Sequence, residues 1–232
     1  MMDDSYSARR DQLEIYFDQT ASEAWSQLTS DAKVSGIRAT VRAGRSRMRA
    51  QLLSWLPETI SGRRILDAGC GTGALAIAAA ERGADVVAID IANSLIDVAR
   101  QRTPDHANNR ITYEVGDMLS DRFGSFDHVV AMDSLIHYDA DDITNALAQL
   151  AARTTGSIVF TFAPATPALR AMHVTGRLFP RSDRAPAIVP VSERRMRQVI
   201  TSEPRLSDWR ISRHGRIGSG FYTSHGMELV RR

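Results

Sequence analysis

The 232-residue chain contains one cysteine, Cys70, and one lysine, Lys33. A single thiol excludes an internal disulfide. With one lysine, the 29 basic residues are almost all arginine. Arginine suits bidentate contacts to carboxylate or phosphate, and an arginine bias equally reflects a GC-rich genome. The formal charge is only +2, which calls for no nucleic-acid partner. No apolar run approaches the length needed to span a bilayer, and no signal-peptide pattern opens the chain, so the expected location is cytoplasmic. Hydrophobic residues at 43% and charged residues at 24% are ordinary for a globular protein, and the length suits one α/β domain with an appendage.

The most informative stretch is Arg64-Ile-Leu-Asp-Ala-Gly-Cys-Gly-Thr-Gly-Ala-Leu75. Ile65 and Leu66 suit a strand covered on both faces. Gly69, Gly71 and Gly73 allow tight, positive-φ backbone and close approach of a ligand. Ala74 to Ala80 supplies strong helix formers. A glycine turn between strand and helix aims backbone N–H groups and the positive end of the helix dipole at a ligand. Gly69, Gly71 and Ala74 loosely satisfy the dinucleotide pattern G-x-G-x-x-G/A. Asp67, Gly69, Gly71 and Gly73 fit the D-x-G-x-G-x-G turn of S-adenosylmethionine (SAM) methyltransferases. Asp67 favours the second reading, because it would repel a pyrophosphate but suits the ammonium of a methionine moiety. Cys70 reads as a small side chain that fits the turn, not as a nucleophile.

Strand and helix patterns then alternate. Strands are expected at Ala84–Ile89, Ile111–Val115, Phe126–Met132 and Ser157–Phe162, with helices at Ala92–Gln101 and Asp142–Ala152. Such alternation implies a right-handed parallel sheet with its ligand beyond the carboxyl ends of the strands. Trp209–Ile217 and Phe221–Val230, joined by Gly218-Ser219-Gly220, predict a terminal antiparallel hairpin. The fold expected is therefore α/β, a class I SAM-dependent methyltransferase with a Rossmann-like seven-stranded sheet, the terminal antiparallel hairpin and an N-terminal helical arm. Residues 1–45 are assigned to the arm, a docked element or a lid, and 46–232 to the SAM-binding core. The arm carries two expected helices, Asp11–Thr20 and Ser22–Ser30, and Val34–Leu56 reads as a basic amphipathic helix. Residues 164–202 depart from the alternation and, rich in proline, read as a substrate-covering insertion with two short helices.

The strand ends complete a cofactor constellation. Asp90, at the end of the second strand, can accept both ribose hydroxyls, under either nucleotide reading. Asp117, after Gly116, can accept an adenine amino group, with Ile91 and Met118 against the ring. Cys70 and Met132 complete the expected cofactor contacts. His137, in the loop after the fourth strand, is placed to face the transferred methyl. No metal-ligand set stands out.

Several strings carry a resemblance: Tyr16-Phe-Asp-Gln-Thr-Ala21, Val34-Ser-Gly-Ile-Arg38, Leu66–Leu75, Phe126–Tyr138, Phe160-Thr-Phe-Ala-Pro164 and Gly176-Arg-Leu-Phe-Pro-Arg181. Over nearly its whole length the chain resembles the magnesium-protoporphyrin IX O-methyltransferases of bacteriochlorophyll biosynthesis. The glycine motif is generic to methyltransferases; the Met132–Tyr138 and Gly176–Arg181 strings are more specific. The resemblance implies methyl transfer from SAM to one propionate of Mg-protoporphyrin IX. It also implies contact with the large subunit of magnesium chelatase and a peripheral contact with the photosynthetic membrane. Relatives from oxygenic phototrophs place a catalytic tyrosine where Thr29 stands here, so either Tyr16 or Tyr138 would substitute beside His137, or the tyrosine is dispensable in this branch. Trp25, Met172 and Phe179 become candidates for the porphyrin face, and Arg38, Arg42, Arg177 and Arg181 for the second propionate. Three other readings share the cofactor residues in whole or part: a methyltransferase of another hydrophobic acceptor such as a quinone precursor, a SAM- and porphyrin-binding escort without chemistry, and a nicotinamide-dependent oxidoreductase.

Overall fold

The computed structural model describes residues 4–18, 36–166 and 187–232. Helices α1 (Asp4–Tyr16) and α2 (Gly36–Trp55) precede β1 (Arg64–Ala68), α3 (Ala74–Glu81), β2 (Asp85–Asp90), α4 (Asn93–Arg102), the single turn α5 (Asp105–Asn108) and β3 (Ile111–Val115). Then come β4 (Phe126–Ala131), α6 (Ala140–Ala151), β5 (Thr154–Phe162), α7 (Glu193–Ser202), β6 (Trp209–Ser219) and β7 (Tyr222–Arg231). The expected helix at Ser22–Ser30 and most of the insertion lie outside the described residues.

The seven strands form one sheet in the order β3-β2-β1-β4-β5-β7-β6. β1 to β5 pair in parallel, while β7 runs antiparallel to both β5 and β6. The order reverses between β1 and β4, which opens a crevice above their carboxyl ends. Alternate side chains divide the core between the two faces. Leu66, Ala68, Val129 and Ala131 pack with α6 and α7; Ile65, Ala88 and Val130 pack with α2 and α3.

Differences from the sequence reading have local causes. α6 starts at Ala140, two residues before the expected Asp142, because the Asp139 carboxylate accepts from the Asp141 and Asp142 N–H groups, both at 2.9 Å. β5 begins at Thr154 because the pairing with β4 shifts register between Phe126 and His128, where Gly156 passes close to the Asp127 carbonyl. In the hairpin Ser219 pairs with Tyr222, so the two-residue turn is Gly220-Phe221, with Gly220 at φ 56°.

α1 begins at Asp4, seven residues before the expected Asp11. Thirteen residues are too few for a stable isolated helix, so docking holds it. Tyr6 and Leu13 are buried against the sheet side that carries α6, each contributing on the order of 2 kcal/mol. α2 runs without a break through residue 45, where the arm was divided from the core. Its apolar Met48, Leu52 and Leu53 are buried, as the periodicity requires.

Arg213 on β6 ties this helix to the hairpin. It donates two 2.7 Å hydrogen bonds to the Glu228 carboxylate, which is buried, and another to the Trp55 carbonyl at the end of α2. Arg213→Ala strands that carboxylate in the core and should cost about 3 kcal/mol in urea unfolding. Glu228→Gln should cost less, because the half-exposed guanidinium can return to water.

Candidate active site

A single cleft above the carboxyl ends of β1 to β4 gathers most of the candidate residues. Its floor is the glycine turn. Gly69, Gly71 and Gly73 all have positive φ, at 79°, 55° and 80°. A Cβ on Gly69 would sit 2.3 Å from the Ser134 Cβ, and one on Gly73 would sit 2.5 Å from the Tyr113 hydroxyl. Both positions therefore exclude a side chain for two reasons, backbone and space. The turn is pinned to β2: the Gly69 and Cys70 amides donate to the Ile89 carbonyl, and the Gly71 amide donates to the Asp90 carboxylate at 2.8 Å.

Two carboxylates in this floor, Asp67 and Asp90, are buried and pair with no cation among the described residues. One Asp67 oxygen, Oδ2, has no hydrogen-bond partner among them. Burial pushes the Asp67 carboxyl up from its ordinary 3.8 to about 7, against the Ala76 N–H and with the added repulsion of Asp90. Burial also raises Asp90, although the Ala92 and Gly71 amides hold its charge in part. A floor of this kind repels a pyrophosphate and suits a cationic ligand. Burial and the two aspartates raise the Cys70 thiol well above its ordinary range, which excludes it as a thiolate nucleophile.

Helix α1 forms a second wall, with Tyr6, Arg10, Leu13 and Phe17 facing the cleft. It is latched to the end of β3 through Asp117, which accepts from the Tyr6 hydroxyl at 3.0 Å and from the Leu119 amide at 2.9 Å, and pairs with Arg10 at 3.0 Å. Tyr6 also stacks on Tyr138 with ring centres 4.9 Å apart. Beyond the helix, Asp18 accepts from the Ser94 amide at the start of α4. Phe17 meets the edge of the His137 ring at 6.1 Å.

The third wall is basic. Arg42, Arg45 and Arg49 of α2 project into the cleft at three- and four-residue spacing, one helix face. Arg45 pairs at 2.9 Å with Asp133, a buried residue that also accepts from the Tyr222 hydroxyl. Asp133 has φ 57°, the one positive φ of a non-glycine among the described residues. Such strain persists where surrounding contacts over-determine it, and this ion pair and hydroxyl supply them. Arg49 pairs with no carboxylate among the described residues, and burial together with Arg45 lowers its pKa.

The cleft thus brings together Asp67, Gly69, Cys70, Gly71, Asp90, Ile91, Asp117, Met118, Met132, His137, Tyr138 and Arg42. Gly73 shapes the floor from beneath as the N-cap of α3. Tyr16 is half-buried on α1 and does not line the cleft, and Arg38 is exposed on α2 outside it. Tyr138 is buried against Tyr6, and burial pushes its hydroxyl up, far from a phenolate. Trp25, Met172, Arg177, Phe179 and Arg181 lie outside the described residues. Sequence reasoning missed Tyr6, Arg10, Arg45, Arg49, Asp133 and Tyr222. The three-four spacing of arginines on α2 was the one signal available for them.

Because folding favours protonated Asp67, the ligand-free protein should lose stability as pH rises from about 4 through about 7. Asp67→Asn should flatten that decline and stabilise the ligand-free protein at pH 8 by on the order of 1–2 kcal/mol. Thermal unfolding across pH 4–8 reads both effects.

Comparisons with known proteins agree with this geometry. Residues 131–231 match the family described as "Magnesium-protoporphyrin IX methyltransferase C-terminus", and residues 65–155 match "Methyltransferase domain". The chain is 45% identical over 228 residues to the magnesium-protoporphyrin O-methyltransferase of Rhodobacter capsulatus, covering 98% of this chain and 99% of that one. It is 28% identical to the enzyme of the same name from Synechocystis, over 93% and 94% of the two chains. The crystal structure of magnesium protoporphyrin IX methyltransferase from Synechocystis with bound SAH superposes with a TM-score of 0.82 at 27% identity, over 96% of this chain and 99% of that one. With its sheet order, its cationic-ligand floor and near full-length identity, the chain belongs to the magnesium-protoporphyrin O-methyltransferase family.

Proposed function

We propose that the protein methylates one propionate carboxylate of Mg-protoporphyrin IX at the expense of SAM, giving the monomethyl ester. The observation that carries this reading is the separation of charge within one cleft. Asp67 and Asp90 form an acidic floor without a cation, and Arg42, Arg45 and Arg49 form a basic wall facing it. The floor suits the positively charged donor, and the wall suits an acceptor that carries carboxylates.

The cofactor residues fit SAM. The Asp67 oxygen left unpartnered among the described residues would accept the ammonium, the glycine turn would admit the methionine portion, and Asp90 keeps lone pairs that would take ribose hydroxyls after accepting from Gly71 and Ala92. Asp117 likewise keeps acceptor capacity for the adenine amino group after holding α1. When bound, SAM supplies an electrophilic methyl on a sulfonium centre.

The chain's own task is positioning. A propionate resembles a Glu side chain and is ionised at neutral pH, so no general base is needed. The protein holds the carboxylate in line with the methyl and excludes water. Arg49, and Arg42 beside it, anchor a substrate carboxylate. His137 is buried in the loop after β4 with Nδ1 3.4 Å from the Ala187 carbonyl. A carbonyl only accepts, so Nδ1 is the donor in this contact. His137 then serves either to orient the substrate carboxylate or to ligate the porphyrin magnesium. Tyr138 acts through Tyr6 as part of the α1 latch. Residues 4–18 serve as a lid whose latch is the Asp117 carboxylate.

Handover of substrate from the large subunit of magnesium chelatase and contact with a membrane surface remain part of this proposal. No described helix is long and apolar enough to cross a membrane. The exposed Arg38 next to the basic wall offers a docking point for either.

Incubation with SAM and Mg-protoporphyrin IX, with mass detection of the monomethyl ester, tests the activity. Porphyrin binding without ester would favour the escort reading. His137→Ala should lower kcat at least tenfold with little change in SAM affinity, and should remove any Soret shift that wild type causes on mixing with Mg-protoporphyrin. Arg49→Ala should raise KM for the porphyrin about tenfold, the loss of one charge-assisted contact. Arg38→Ala should change KM far less. SAM binding at pH 6 should release a proton as Asp67 ionises, read by calorimetry in buffers of different ionisation enthalpy.

A further inference from the structure

At the far edge of the sheet, on the face that carries α7, three side chains unconnected with the cleft converge. Glu193 is the first residue of α7, His214 lies on β6 and His225 on β7. The Glu193 Oε1 is 3.3 Å from His214 Nδ1, and its Oε2 is 3.8 Å from His225 Nε2. One ligand atom from each residue lies within 4.8 Å of the other two. The two imidazoles are nearly parallel, 11° apart, with centres separated by 5.7 Å. His225 is stacked on Phe162 at 4.9 Å, which fixes its ring, and its side chain is only 7% exposed.

The decisive observation is the His225 Nε2 atom. It is buried, it lies 3.8 Å from Glu193 Oε2, and it has no hydrogen-bond partner among the described residues. A buried imidazole nitrogen without a partner is costly. We propose that Glu193, His214 and His225 bind a first-row divalent metal ion of the zinc class. In a tetrahedral site with bonds of about 2.0–2.1 Å, ligand atoms sit about 3.3–3.4 Å apart. To reach that spacing His214, on the exposed edge strand, must turn out of its parallel stack with His225 so that both imidazole lone pairs converge on one ion. Two imidazoles with one carboxylate select zinc-like ions over magnesium, which prefers an all-oxygen shell.

The surroundings support the site. Arg197 donates to Glu193 Oε1 at 2.8 Å, which leaves Oε2 directed at His225. Metal-binding carboxylates are oriented by such outer contacts. Glu193 and His214 are partly exposed, so water can complete the coordination. Glu193 follows Val191, whose backbone bonds Ala163 and Ala165 at the end of β5. A metal here ties the returning end of the 164–202 segment to the edge hairpin.

Titration of tag-free, full-length protein with Co²⁺, followed by ligand-field absorption, tests this, with Zn²⁺ displacement and metal analysis for stoichiometry. Wild type should bind one ion per chain and show the intense bands of a four-coordinate site. His214→Ala on the exposed edge strand, and Glu193→Gln, should each weaken binding at least tenfold and abolish those bands. His137→Ala in the cleft should leave them intact. Absence of binding, equal binding by wild type and both variants, or loss of the bands in His137→Ala would each overturn the site.

Discussion

Four parallel strands end in buried or partly buried aspartates, and the architecture around the cleft follows from how each charge is met. A carboxylate taken out of water must find a cation or several donors. Asp117 after β3 takes Tyr6 and Arg10 from α1. Asp133 after β4 takes Arg45 from α2 and Tyr222 from β7. Two helices outside the alternating core are thereby drawn over its ligand end. Asp67 and Asp90 receive backbone amides but no arginine among the described residues. The unmet half of that charge is where we propose that the cofactor binds.

This division carries a cost in stability. The ligand-free floor holds a carboxylate with one orphaned oxygen and a pKa near 7. The same desolvation that makes the floor unfavourable when empty strengthens its attraction for a cationic donor. The opposing wall repeats the logic with reversed sign, since Arg49 is partly desolvated beside Arg45. One narrow cleft can hold a positive donor and a negative acceptor because its two walls are charged oppositely. A metal at Glu193, His214 and His225 would add a third charge-matched site, remote from the chemistry, at the edge hairpin.

Much of the core was legible because its signals are local. Buried strands read as short apolar runs, and the glycine turn as a spacing that few backbones need. Departures came where a single residue resets an element: Asp139 starting α6 early, Gly156 in the bulge of β5, and Gly220-Phe221 making a tighter turn than expected. The start of α1 was not legible, because Asp4 to Arg10 is polar and its one core residue, Tyr6, is recruited by Tyr138 and Asp117 from more than a hundred residues away.

The same distinction separates what sequence and structure each determined about the site. That Asp67, Gly69, Gly71, Asp90 and Asp117 lie at one cleft could be read in advance, because strand ends and glycine turns put residues at fixed places along the chain. The family likewise followed from contiguous strings. Which arginines line the cleft, how α1 is latched over it, and which carbonyl His137 meets were decided by tertiary structure alone. Those features depend on pairs such as Arg45–Asp133, Arg10–Asp117 and His137–Ala187, whose partners meet only when the helices pack over the sheet. Helical spacing could place the arginines on one face, but only packing could choose which of them turn inward.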